Sequence, residues 1–150
     1  MNNGYGQFVF AGDGDDLVDL GSNWDETVAY GGRGNDTFNL PVEGSTMVVY
    51  GGDGDDVFDT DREQDMAAVL QSVALYGDAG NDKMTLLEFA MNMYGYGGTG
   101  DDKIVHFNND VLMVEGNDGN DIIYGSDNVD AMTDPPTMQK IYGDESFTSI

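Results

Sequence analysis

The chain has 150 residues, 29 of them acidic and 5 basic, giving a net charge of −24, and it contains 22 glycines and no cysteine. At this length it reads as a single domain over residues 1–150, and its charge repels nucleic acid and anionic membrane surfaces. Disulfides and thiolate metal sites are excluded, no apolar run is long enough to span a membrane as a helix, and no stretch resembles a signal peptide, which points to another export route or to a longer parent chain.

Acidity of this degree often marks disorder, yet 39% of the residues are hydrophobic and 11% aromatic, enough for a buried core. The two facts agree if cations neutralise the acidic groups as the chain folds.

In chain order, a short apolar run, QFVF from Gln7, leads into AGDGDDLVD from Ala11. The same succession then recurs. TVAY precedes GGRGNDTFN (Gly31), MVVY precedes GGDGDDVFD (Gly51), and VALY precedes GDAGNDKMT (Gly77). MYGY precedes GGTGDDKIV (Gly97), LMVE precedes GNDGNDIIY (Gly116), and a seventh copy opens at Gly143-Asp144 and decays. The shared frame is G-G-x-G-x-D-x-U-x, with U apolar. Its sixth position is Asp16, Asp36, Asp56, Asp82, Asp102 and Asp121, at intervals of 20, 20, 26, 20 and 19 residues.

Each turn is followed by a second strand-like run: LVDL, TFNL, VFDT, KMTL, KIVH and IIYG. One coil is therefore a turn, a strand, a second loop and another strand. This predicts an all-β fold, a right-handed parallel β-roll or β-solenoid of about seven coils, roughly 20 residues each, with two short-stranded sheets. Two insertions interrupt the period: 61–72, where QDMAAVLQS suggests one helical turn, and 126–139, which contains Pro135-Pro136.

The turns have the chemistry of a calcium site. Glycines let the backbone take positive φ and curl, which aims carbonyl oxygens along one edge, and the sixth-position aspartate adds a carboxylate. Calcium takes six to eight hard oxygen ligands; one turn cannot supply them, whereas two turns stacked about 4.8 Å apart can. Six turns make five gaps, so about five calcium ions are expected on this edge. The candidate ligands are Asp16, Asp36, Asp56, Asp82, Asp102 and Asp121. With them stand the turn glycines Gly12, Gly14, Gly31, Gly32, Gly34, Gly51, Gly52, Gly54, Gly77, Gly80, Gly97, Gly98, Gly100, Gly116 and Gly119.

The frame resembles the RTX parallel β-roll of secreted bacterial proteases, toxins, lipases and the accessory modules of alginate epimerases, over roughly Phe8 to Gly143. The resemblance implies calcium held between successive turns, folding triggered when the chain leaves low-calcium cytosol, and an extracellular or cell-surface location. This chain departs from the family in one respect. The family's usual coil is eighteen residues with a glycine-rich turn at both edges, whereas here the second edge reads GSNWDE, PVEGST or LEFAMN. Calcium is therefore expected on one edge only. The fourth turn is also weaker, with Asp78 in place of the second glycine.

Strand alternation turns Val18, Phe38, Phe58, Met84, Ile104 and Ile123 inward, with Leu20, Leu40, Thr60, Leu86 and His106 at position ten. From the other strand come Val9, Ala29, Val49, Leu75, Gly95, Val114 and Ile141, and Gln7, Thr27, Met47, Val73, Met93 and Leu112. Outward residues after the turn are mostly polar: Asp19, Thr37, Asn39, Asp59, Lys83 and Lys103. Those before it are aromatic or apolar, and Phe10, Tyr30, Tyr50, Tyr76 and Tyr96 form a predicted ladder. With Tyr94 and Tyr142 they make a candidate interaction face.

No catalytic centre is expected. His106 is the only histidine, which excludes a histidine triad or histidine zinc cluster, and the paired aspartates recur with the turn. Trp24 falls in a second-edge loop. Asn35-Asp36-Thr37 is a glycosylation sequon inside a calcium turn and is set aside. The expected function is a calcium-binding structural module that folds on calcium binding. It would assemble with itself or with other domains, by stacking through its uncapped ends or by docking the aromatic face, into a filament or surface layer. The alternative is a carbohydrate-binding module that stacks sugar rings on tyrosine.

Overall fold

Runs of three or four residues with alternating polarity, each followed by a glycine-rich turn, are too short for helix and suited to strands that pair across coils. The computed structural model describes residues 6–21, 26–41, 44–60, 70–86, 92–106, 111–124 and 141–143, and every one of those runs is a strand. The strands are β1 (Gln7–Asp13), β2 (Leu17–Asp19), β3 (Thr27–Arg33), β4 (Thr37–Leu40), β5 (Gly44–Asp53), β6 (Val57–Thr60) and β7 (Leu70–Ala79). They continue as β8 (Lys83–Leu86), β9 (Met93–Thr99), β10 (Lys103–His106), β11 (Val111–Asp118), β12 (Ile122–Tyr124) and β13 (Ile141–Gly143).

Odd-numbered strands form a seven-stranded sheet in chain order and even-numbered strands a six-stranded one. Every pairing is parallel. The molecule is thus an all-β parallel solenoid. The expected count of about seven coils becomes six coils with both strands described and one strand of a seventh.

The strands of the first sheet run on into the turn, so that Gly12 pairs with Gly32 and Asp13 with Arg33. The sequence reading ended them at the turn. The helical turn expected in the first insertion is partly corrected: Leu70 and Ser72 lie in β7, paired with Gly44 and Thr46. Partner strand β5 reaches back to Gly44 and offers ladder hydrogen bonds, whereas a single helical turn of this length does not sustain itself. Residues 61–69 and the insertion 126–139 lie outside the described residues, as does Trp24, and so do most of the second-edge loops.

Between the sheets lies a narrow aliphatic and aromatic core. Phe38, Phe58, Met84 and Ile104 from the second sheet are fully enclosed, as are Ala29, Val49 and Leu75 from the first. Thr27, Met47, Val73, Met93 and Val114 are also buried. Phe38 and Phe58 stack with ring centroids 5.1 Å apart. Where burial is described, the predicted inward residues are enclosed, including Leu20 and Leu40 of position ten, while Ile123 is half-buried and the side chains of Thr60, Leu86, His106 and Ile141 lie outside the described residues. There are two further departures. Gln7 is exposed and Val9 only half-buried, because β1 pairs on one side only among the described residues. Leu112 does not continue the Met93 column: Val111 pairs with Met93 and Met113 with Tyr94, and the register shifts between them.

Candidate metal centre

Each turn works because its neighbour lies directly against it. Gly32 has φ of 123°, and a Cβ there would strike the carbonyl of Gly12 one coil below; likewise one on Gly34 would strike the carbonyl of Gly14. Only a residue without a side chain lets backbone oxygens approach that closely. In turns four and six the second position is Asp78 (φ 73°) and Asn117 (φ 70°). These are the two residue types that enter the left-handed region most readily. The fourth turn accordingly keeps register, Gly52 to Asp78 to Gly98, and the weakness expected of it does not show in its path.

The sixth-position aspartates form a buried column: Asp36, Asp56, Asp82 and Asp102 are at most 2% exposed. One oxygen of each is engaged. The backbone N–H of Asp16 donates to Asp36 Oδ1 (2.8 Å), Asp36 to Asp56 (2.8 Å), Asp56 to Asp82 (2.8 Å), Asp82 to Asp102 (2.8 Å) and Asp102 to Asp121 (2.9 Å). The other oxygen is different. Oδ2 of Asp16, Asp36, Asp56, Asp82 and Asp102 is buried and has no hydrogen-bond partner. In Asp36, Asp56, Asp82 and Asp102 it sits against the first glycine of its own turn, where the carbonyl of the next coil's first glycine also arrives: Asp36 Oδ2 and Gly51 O meet at Gly31, and Asp56 Oδ2 and Gly77 O at Gly51.

A buried acceptor with no donor is costly, and a column of buried carboxylates more so. Burial first, and then neighbouring carboxylates, push Asp56 and Asp102 up to about 6 and Asp82 up to about 7; burial raises Asp36 as well. A divalent cation removes both penalties. Among the described residues no three carboxylate or imidazole side chains converge, so an ion here takes one or two carboxylates and draws its remaining oxygens from the backbone. That donor set is hard, oxygen-only and suited to calcium.

A second column was missed by the sequence reading, although it is plain once position five is read down the coils. It alternates Asp15, Asn35, Asp55, Asn81, Asp101, Asn120. Each backbone N–H donates to the Oδ1 of the residue one coil below: Asn35 to Asp15, Asp55 to Asn35, Asn81 to Asp55, Asp101 to Asn81 (2.8 Å each) and Asn120 to Asp101 (2.9 Å). The Nδ2 groups of Asn81 and Asn120 add bonds of 3.2 Å to Asp55 and Asp101. Alternation keeps like charges two coils apart. Replacing Asn81 with alanine removes the acceptor of Asp101 N–H and a donor to Asp55. It is expected to lower stability in saturating calcium by on the order of 1 kcal/mol, read as a lower denaturant midpoint.

The outer faces differ from each other, as expected, though not in full. Phe10, Tyr30, Tyr50, Tyr76 and Tyr96 form a continuous stack, with successive centroids 5.1, 4.9, 4.8 and 4.9 Å apart. Tyr94 lies in the adjacent column, opposite Ala74. Tyr142 does not extend the ladder, because Glu115 lies between it and Tyr96. The face of the second sheet is less polar than expected, since Leu17, Ile122 and Tyr124 are exposed beside its charged residues.

These features define a parallel β-solenoid that stacks carboxylates and carbonyl oxygens along one edge. The family model described as the RTX calcium-binding nonapeptide repeat matches in four copies, over residues 28–40, 48–67 and 113–133. The chain carries RTX calcium-binding repeats. The turns at Gly77 and Gly97 lie outside those segments yet hold the same frame in register. Neither a curated protein nor a solved structure matches the chain.

Proposed function

We propose that this chain is a non-catalytic structural and assembly module that works outside the cell and folds when calcium enters the gaps between its turns. The observation that carries the reading is the row of five buried, unpartnered carboxylate oxygens, four of which (on Asp36, Asp56, Asp82 and Asp102) lie beside a backbone carbonyl of the next coil. Asp16, Asp36, Asp56, Asp82, Asp102 and Asp121 would hold the ions together with carbonyls of the turn glycines. Calcium would supply charge neutralisation and cross-linking of adjacent coils. From position one to position six the six turns carry thirteen aspartates and one arginine, a net charge of −12. Five divalent ions would bring that edge to −2. Sites with so few carboxylates suit the weak calcium affinities, about 10⁻⁴–10⁻³ M, of extracellular modules.

The carbohydrate reading loses its mechanism in the ladder. Tyr30, Tyr50 and Tyr76 each have a ring stacked on both faces. A sugar would meet ring edges and hydroxyls instead of a stacking platform.

A circular-dichroism titration tests the proposal, because metal binding and folding are one event in a site of this kind. β-Sheet signal is expected to rise cooperatively with calcium and to fall in chelator, most at alkaline pH. Asp56→Ala leaves two neighbouring gaps each short of a carboxylate, and should raise the calcium midpoint about three- to tenfold. An unchanged midpoint would refute ligand sharing between adjacent gaps.

A further inference from the structure

The outer face of the six-stranded sheet carries two columns. The first runs Leu17, Thr37, Val57, Lys83, Lys103, Ile122 in register from coil to coil. The second runs Asp19, Asn39, Asp59 through the first three coils and Thr85, Val105, Tyr124 through the last three.

Charge is divided between the halves of this face. Its acidic residues, Asp19 and Asp59, lie in coils one and three, and its basic residues, Lys83 and Lys103, in coils four and five; all four are exposed. Lys83 and Lys103 are direct cross-strand partners. Two like charges so placed destabilise a sheet, although in a chain of net charge −24 each also eases the general repulsion. Apolar residues close both ends, Leu17 at 71% exposure on one and Ile122 and Tyr124 at 48% and 41% on the other. Lys103 Nζ lies 5.6 Å from the centre of the Tyr124 ring.

We propose that two copies of the chain pair through this face with their coil order reversed. A two-fold axis parallel to the strands returns each column onto itself and sets coil one against coil six, two against five and three against four. Leu17 then meets Ile122, Asp59 comes beside Lys83, and Asp19 lies diagonal to Lys103. The same-order arrangement brings the lysine-bearing halves together and the acidic halves together. Among anionic partners, a second copy alone offers matching acid and base at matching coil spacing; an extended polyanion would also lie along Asp19 and Asp59. The face measures about 29 Å by 10 Å from strand spacing, well short of a standard interface. Pairing is therefore weak, and it is sensitive to salt.

This inference deepens the assembly reading and rests on calcium-dependent folding, so each sample is first shown by circular dichroism to be folded in calcium. Failure at that step counts against the calcium reading and not against the pairing. Sedimentation velocity on the folded full-length chain, from about 10 µM to 1 mM, should show wild-type mass rising toward a dimer, less so in high salt. Lys83→Glu with Lys103→Glu should remove association at every concentration, as should Asp19→Lys with Asp59→Lys. An equimolar mixture of the two variants should restore it. A monomeric wild type, a lysine variant that associates like wild type, or a mixture that stays monomeric each overturns the proposal. Loss of association in Tyr50→Ala, with the lysine variant unaffected, assigns the contact to the aromatic face and overturns it too.

Discussion

Replacing Gly51 with alanine is expected to abolish calcium-dependent folding around the third and fourth coils, at a cost above about 4 kcal/mol, in the range of the most damaging single substitutions. The reason is steric and local. A methyl group on Gly51 would occupy the point where Asp56 Oδ2 and the carbonyl of Gly77 converge. Asp56 is fully enclosed, so its carboxylate has nowhere to move, and the carbonyl is fixed by the next coil. Gly12→Ala is the informative comparison. Gly12 has φ of 119°, which strains any side chain, yet a Cβ there meets nothing within 4 Å. Its expected cost is the backbone strain alone, about 1–3 kcal/mol. Thermal melts in saturating calcium separate the two. A Gly51→Ala protein that folds at the wild-type calcium midpoint would show that the Asp56 carboxylate is not held at that point.

The second large effect is on pH dependence, which should have opposite signs with and without calcium. In chelator, burial holds Asp56 and Asp102 at about 6 and Asp82 at about 7, against 3.8 for the free side chain. A folded-state pKa raised above the unfolded value adds stability that is fully present below about pH 4 and is lost as pH climbs through 6 to 7. Chelated protein should therefore be more structured at pH 5 than at pH 8. With calcium the carboxylates are held ionised, so protons compete with the metal and the calcium midpoint should rise as pH falls below about 7. Acidification also lowers the overall net charge, and Asp82→Asn separates that general effect from the local one. The variant should be more stable than wild type in chelator at pH 8 and less stable in saturating calcium. Equal stability of chelated wild type and Asp82→Asn at pH 8 would show that the buried charge at this position is not what opposes folding.

Much of this molecule was readable before its coordinates. The glycine-aspartate frame and the apolar residue two places after each aspartate define the coil, because a turn this tight requires residues that tolerate positive φ and because strand alternation has a period of two. Parallel stacking, the buried position-eight column and the tyrosine ladder followed from those periods. So did the presence of a carboxylate in every turn, and with it the calcium reading.

Other features depend on which atoms neighbouring coils bring together. Which aspartate oxygen is engaged and which is left without a donor depends on the backbone N–H of the coil below, an amide 19 to 26 residues away in the chain. The Leu112 register shift likewise appears only in pairing with β9. Glu115 ends the ladder before Tyr142 for the same reason. Tyrosine at one position of four successive coils suggested a surface for sugar rings, whereas stacking at about 5 Å covers the ring faces with one another. By itself the sequence determined the coil and its candidate ligands, since both are local consequences of residue type and spacing. Only the tertiary structure decided which ligand atoms are available and which faces are open, because those depend on contacts across coils that no single repeat contains.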